Sequence, residues 1–99
     1  MDIKEILKKF GLSEKEIGVY TSILSLGPAV ASDIARKAGL NRSTTYVILE
    51  SLMKRGFIED SNRRGIKMYQ SAPAARIIER FEAAAEKYSS VARRRRRVR

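Results

Sequence analysis

Asn41, Arg42, Ser43 and Thr44 set an amide, a guanidinium and two hydroxyls side by side, and Tyr46 and Val47 follow within a helical turn. Further on, Arg63, Arg64 and Lys67 surround Gly65. Such groups suit a polyanion with hydrogen-bonding edges. Guanidiniums take phosphate oxygens or the O6 and N7 of guanine, hydroxyls take either, and a valine packs on a thymine methyl. Bond-making chemistry is poorly supplied by comparison. The chain has no Cys and no His, which removes disulfides, the commonest metal ligands and the commonest general base. No paired-carboxylate or Ser-Lys spacing stands out among the remaining residues. The expectation is a binding protein and not an enzyme, with no metal and no cofactor.

Charge placement points the same way. The net charge is +10 in 99 residues. Residues 1–39 hold six basic and five acidic side chains, and residues 72–92 hold three of each. Residues 40–71 hold six basic against three acidic, and the last seven residues add six arginines and no acid. The excess therefore sits in a central segment and a tail. A double-stranded DNA partner fits this pattern, because each phosphate neutralised by Lys or Arg releases condensed counterions. A solvated basic surface is the plainer alternative.

The elements that must position these residues follow from periodicity. Ile3, Ile6, Leu7 and Phe10 form one stripe of a first helix over Asp2–Phe10, ended by Gly11. Ser13 and Glu16 form a capping box for a second helix carrying Ile17, Val19, Tyr20, Ile23, Leu24 and Leu26, stopped by Gly27-Pro28. Ser32 is the expected cap of a short third helix with Ile34, Ala35 and Ala38, closed by Gly39. Asn41 caps a fourth helix reaching about Arg55, whose buried stripe is Thr45, Ile48, Leu49 and Leu52. The period then changes to two, which predicts strands at 57–61 and 66–70 joined by the loop Asn62-Arg63-Arg64-Gly65. After Pro73 a last helix repeats Ile77, Phe81, Ala84, Tyr88 and Val91 at spacings of four and three, a heptad seam.

Helix, helix, short helix, helix, hairpin is the order of a winged helix-turn-helix, mainly α with a small β-hairpin. Burying the stripe of the fourth helix turns Arg42, Ser43, Thr44, Tyr46, Val47, Glu50 and Lys54 outward. Arg42 would meet either guanine or a phosphate. Glu50 must point away from phosphates or accept from cytosine. Arg63 and Arg64 at the hairpin tip, with Lys67, would lie along the backbone or probe the minor groove; an exposed Arg-rich turn is the bland reading.

Several segments resemble the DNA-binding domain of TrmB-type archaeal regulators. They are Gly11-Leu12-Ser13-Glu14-Lys15-Glu16, Val19-Tyr20, Leu24, Leu26-Gly27-Pro28-Ala29, Ala31-Ser32-Asp33-Ile34-Ala35, Gly39 to Tyr46, Leu49 to Phe57 and Tyr69-Gln70-Ser71-Ala72-Pro73. The resemblance covers about residues 3–75. It implies a transcription factor that dimerises through the following helix, with Arg42, Ser43, Thr44 and Tyr46 at the DNA-facing start of the recognition helix. Tyr46 stands where the family has a recurrent tyrosine, either supporting a phosphate contact or reading a base. Many members continue into a large sugar-sensing effector domain. This chain stops short of one, so no small-molecule ligand is expected.

The resulting expectation is three parts: a winged helix-turn-helix domain at 1–73, a C-terminal dimerisation helix at 74–92, and a disordered basic tail of Arg93, Arg94, Arg95, Arg96, Arg97 and Arg99 within 93–99. The helix either pairs with a second copy through Ile77, Phe81, Ala84, Tyr88 and Val91 as a coiled coil, or packs back on its own domain. The leading function is sequence-specific duplex binding by a homodimeric regulator. An architectural, nucleoid-coating protein is the alternative, and a protein-interaction module a third. The charged opening MDIKEILKKF lacks the apolar run of a secretory signal, and no apolar stretch is long enough to span a membrane. A cytoplasmic, nucleoid-associated protein is therefore expected.

Overall fold

A computed structural model describes residues 2–73, 75–77 and 79. Among them the order is α1 (Ile3–Lys9), α2 (Glu14–Leu26), α3 (Ala31–Ala38), α4 (Arg42–Lys54), β1 (Ile58–Arg63) and β2 (Ile66–Ser71). Local chemistry explains most boundaries. Ser13 Oγ accepts from Glu16 N–H at 3.2 Å while the Glu16 carboxylate accepts from Ser13 N–H at 3.0 Å, so the capping box opens α2. Asn41 Oδ1 accepts from Thr44 N–H at 2.8 Å and opens α4. Gly39 ends α3 with φ 70°, the left-handed backbone that a side chain disfavours, and Leu40 N–H bonds back to the Ala35 carbonyl at 3.0 Å. This close turns the chain into α4 within three residues.

The start of α3 differs from expectation. Its cap is Val30, with no side-chain bond, and Ser32 lies exposed inside the helix. The reason is a distant strand. Ala29 exchanges both backbone hydrogen bonds with Tyr69, at 3.0 and 2.8 Å. That bridge holds the segment extended through Val30, so α3 begins directly after it and a Ser32 cap has no place.

The hairpin is also tighter than its alternation implied. Arg63 pairs with Ile66, leaving only Arg64 and Gly65 as the loop. Both adopt positive φ, 52° and 81°, as the favoured two-residue hairpin turn requires. Asn62 Oδ1 accepts from Gly65 N–H at 2.9 Å and closes the turn.

One core joins these elements. Val19, Ile23, Ile34, Leu49 and Leu52 are at most 1% exposed, and Leu7, Leu12, Ile17, Ile48 and Ile58 surround them. Phe57 packs edge-on against Phe10 and Tyr20, with centroids 5.5 and 6.0 Å away. The Tyr20 hydroxyl lies 3.0 Å from Ser71 Oγ, fastening the end of β2 to α2. Residues 75–77 and 79 are helical, and Ile77 packs against this same core. Leu24 and Leu26, expected on the apolar side of α2, are instead 43% and 41% exposed. They fall at the end of the helix, where α3 turns away. Among the described residues no helix is long and apolar enough to cross a membrane.

Candidate nucleic-acid interface

The buried stripe of α4 is the expected one: Thr45, Ile48, Leu49 and Leu52 all face inward. Helical geometry then sends Ser43, Tyr46, Val47, Glu50 and Lys54 to the opposite side, and all five are exposed. Val47 is the extreme, an apolar side chain 68% open to solvent.

The first turn of α4 is held by its own polar groups. Ser43 Oγ donates to Asn41 Oδ1 at 3.3 Å, beside the Thr44 N–H on the same oxygen. Thr45 is fully buried and its hydroxyl donates to the Asn41 carbonyl at 2.8 Å. Thus Asn41 shapes the helix start with both of its oxygens, and Thr44 is half-buried. Arg42 lies one turn from Tyr46, its guanidinium 6.0 Å from the ring centroid. A cation stacked on an exposed ring keeps its hydrogen-bonding edge available while losing much of its rotational freedom.

The hairpin divides its cations between two faces. Cross-strand partners share a face, so Ile58, Asp60, Asn62, Lys67, Tyr69 and Ser71 lie on one side and Glu59, Ser61, Arg63, Ile66, Met68 and Gln70 on the other. The first side packs inward through Ile58 and Tyr69, both 3% exposed. Arg63 and Lys67 therefore point to opposite faces, and Arg64 projects at the turn between them. All three are exposed.

Lys67 is not an isolated cation. Its Nζ sits 3.3 Å from Asp60 Oδ2 and 5.7 Å from the centroid of the Tyr69 ring. The hydrogen bond to Asp60 holds its ammonium pKa above the ordinary lysine value, with smaller help from Tyr69 and from Glu50 of α4. Burial raises the Tyr69 phenol, and Tyr46 and Glu50 of α4 act on it in the same sense. Glu50 of α4 thus acts electrostatically on both Lys67 and Tyr69 of the ribbon's inner face. Sequence reasoning listed Lys67 but missed Asp60. The signal was present: with a two-residue turn, positions 60 and 67 become diagonal neighbours on one face.

Of the remaining expected residues, Ile77 is half-buried on the core of its own domain. Phe81, Ala84, Tyr88 and Val91, and the tail arginines Arg93 to Arg97 and Arg99, lie outside the described residues. Among the described residues no three His, Cys, Asp or Glu side chains gather as a metal site would require.

With this geometry in hand, comparison with known proteins is informative. The model of the family described as the sugar-specific transcriptional regulator TrmB matches residues 7–75. The chain belongs to the TrmB family. It is 36% identical over 58 residues to the HTH-type sugar sensing transcriptional regulator TrmBL1 of Pyrococcus furiosus, a match covering 59% of this chain but 17% of that protein. Among solved structures, a possible transcriptional regulator from Methanosarcina mazei Go1 superimposes with a TM-score of 0.78 at 14% identity, covering 96% of this chain and 86% of the other. TrmBL2, described as an archaeal chromatin protein with a novel mode of DNA binding, gives 0.76 at 22% identity, covering 93% and 36%. At these identities the structural matches establish the winged-helix fold. The TrmB match spans the segment from α1 to the exit of the wing, so the motif described above is this family's helix-turn-helix domain.

Proposed function

We propose that the chain binds duplex DNA as a homodimeric transcriptional regulator of the TrmB family, reading sequence with the first turns of α4. The observation that carries this reading is the stripe Ser43, Tyr46 and Val47 exposed on α4, with Arg42 stacked at its head and Arg64 at the tip of the adjacent wing. An α-helix of this form fits the major groove, where Arg42 and Ser43 reach base edges or phosphates and Val47 meets thymine methyls. Asn41 and Thr44 act mainly by presenting that turn. Arg63 and Arg64 contribute contacts to the sugar-phosphate backbone. The reading is non-enzymatic, requires no cofactor, and places the protein in the cytoplasm with the nucleoid.

In this reading residues 1–73 form the DNA-binding domain, 74–92 a helix that pairs with a second copy through Phe81, Ala84, Tyr88 and Val91, and 93–99 a basic tail adding sequence-independent phosphate contacts. Ile77 begins the seam and also seats the helix on its domain. A two-fold dimer would set its recognition helices on one duplex face about 34 Å apart or a multiple of that. Sedimentation across a range of concentrations tests this part, and a monomer throughout removes it.

Selection of bound oligonucleotides tests the central claim. Arg42→Ala, Ser43→Ala and Val47→Ala should each change the preferred sequence, whereas Arg63→Ala and Arg64→Ala should weaken binding to all sequences alike. Unchanged preferences in every α4 variant would remove α4 as the reading element. A second reading, a DNA-coating architectural protein, is favoured by the six arginines of the last seven residues and agrees with the description of TrmBL2. The ratio of specific to non-specific affinity separates the two. A coating protein gives a ratio of only a few, against at least about a thousandfold for a specific regulator.

A further inference from the structure

The inner face of the wing carries an ion pair where its tip carries two arginines. Arg42 lies at the head of α4 and Arg63 and Arg64 at the hairpin tip, while on the ribbon's inner face the Asp60 carboxylate lies 3.3 Å from the ammonium of Lys67, and Glu50 of α4 acts on that ammonium in the same sense. Asp60 and Lys67 are about half exposed, with side-chain exposures of 46% and 55%. An exposed pair of this kind contributes little to folding. Its effect falls instead on whatever approaches the face. A phosphate reaching Lys67 must share its ammonium with the Asp60 carboxylate and sit beside that like charge.

We propose that Asp60 restrains sequence-independent DNA binding by holding Lys67 in an ion pair across the inner face of the wing. The proposal rests on the DNA-binding reading above and sharpens it, because it assigns Asp60 and Lys67 to the sequence-independent part of the affinity. Phosphate contacts raise affinity for every sequence equally. Restraining one of them lowers affinity for every sequence alike and leaves discrimination to α4. The tip arginines, on the other face and at the turn, keep their contacts. Lys67 is thus a held cation and not one of the constitutive phosphate ligands of the wing.

The test is a double-mutant cycle on the full chain, using a random-sequence duplex at a series of salt concentrations. Asp60→Asn keeps the shape and removes the charge. It should tighten binding about threefold or more at low salt and steepen the log affinity against log salt slope by about 0.9, the signature of one added phosphate contact. Lys67→Ala alone should change affinity less than twofold. In the Lys67→Ala background, Asp60→Asn should lose most of its effect. An equal gain in both backgrounds overturns the proposal, since Asp60 would then act by simple repulsion and not through Lys67. No gain in either background overturns it as well. If the unaltered chain binds no duplex at the lowest salt, the DNA-binding reading itself falls and the proposal falls with it. Thermal melting of each variant confirms that the fold is intact.

Discussion

Two carboxylate–cation pairs of similar length, one between remote helices and one across the hairpin, have settings that give them different work. Glu16 and Arg55 approach to 3.6 Å with side chains 17% and 34% exposed, while Asp60 and Lys67 approach to 3.3 Å with 46% and 55%. The first pair is built into a network. The Arg55 guanidinium donates to the Phe10 carbonyl and lies 5.5 Å from the Phe57 ring centroid, and Ser51 Oγ donates to the Glu16 carboxylate at 3.2 Å. It ties the end of α1, the start of α2 and the end of α4 together. The second pair stands half exposed on the inner face of the wing, with the Tyr69 ring 5.7 Å from the Lys67 ammonium. Distance alone is therefore a poor guide to what an ion pair does. Solvent and neighbouring hydrogen bonds decide it.

The sharpest way to break the comparison is Arg55→Ala. That change removes the bond to Phe10, the partner of Glu16 and the packing on Phe57 together. A charged hydrogen bond of this kind contributes about 1.5–3 kcal/mol, and partial exposure places the expected loss near 2 kcal/mol. In a domain of this size each kcal/mol lowers the melting temperature by roughly 4–8 °C. Arg55→Lys should recover only part of the loss, because one ammonium cannot copy the planar fork. A melting temperature equal to the original would mean that the network does not hold the frame.

How much of this was legible in the sequence depends on the range of the interaction. Spacing within α4 identified its inward residues, and the Ser13–Glu16 capping box was readable because both partners lie within one turn. The outward stripe of α4 followed as the complement of its buried one. Bonds between remote segments left no such trace. The Ala29–Tyr69 bridge displaced the expected Ser32 cap, and nothing near residue 32 announces a strand forty residues away. Arg55 reaching Phe10 across 45 positions was equally invisible. At the candidate interface the cations were found by type, but their partition between two ribbon faces depends on the turn length. Arg64 taking a positive φ is what shortened that turn.

A smaller effect separates the two pairs by pH. Glu16 has its carboxyl pKa held below the ordinary 4.5, first by the Ser13 N–H, with burial opposing and then Ser13 Oγ, Ser51 Oγ and the Arg55 charge assisting. A depressed pKa in the folded state means that the ionised carboxylate favours folding above pH 4.5. That contribution is lost as pH falls through the lower, folded-state value. Glu16→Gln keeps an acceptor for the Ser13 N–H but loses the charge facing Arg55, and should therefore be less stable at neutral pH by up to about 1 kcal/mol. Denaturant midpoints for the two proteins should converge below pH 4.5. A gap that stays constant down to pH 3 would show that Glu16 acts through shape and not through charge.

The smallest expected change in stability is at the other pair, and it gives the comparison its meaning. Asp60→Asn removes a charge from a half-exposed strand position whose backbone pairing with Tyr69 is untouched. The lost attraction to Lys67 is screened by solvent. The melting temperature should stay within what about 0.5 kcal/mol produces, at both low and high salt. DNA affinity in the same variant should rise. A variant that melted as low as Arg55→Ala would place Asp60 in the frame and remove the contrast. A change seen in binding and not in melting locates the pair on the functional face, because a group whose removal leaves the fold alone can alter affinity only through what approaches it.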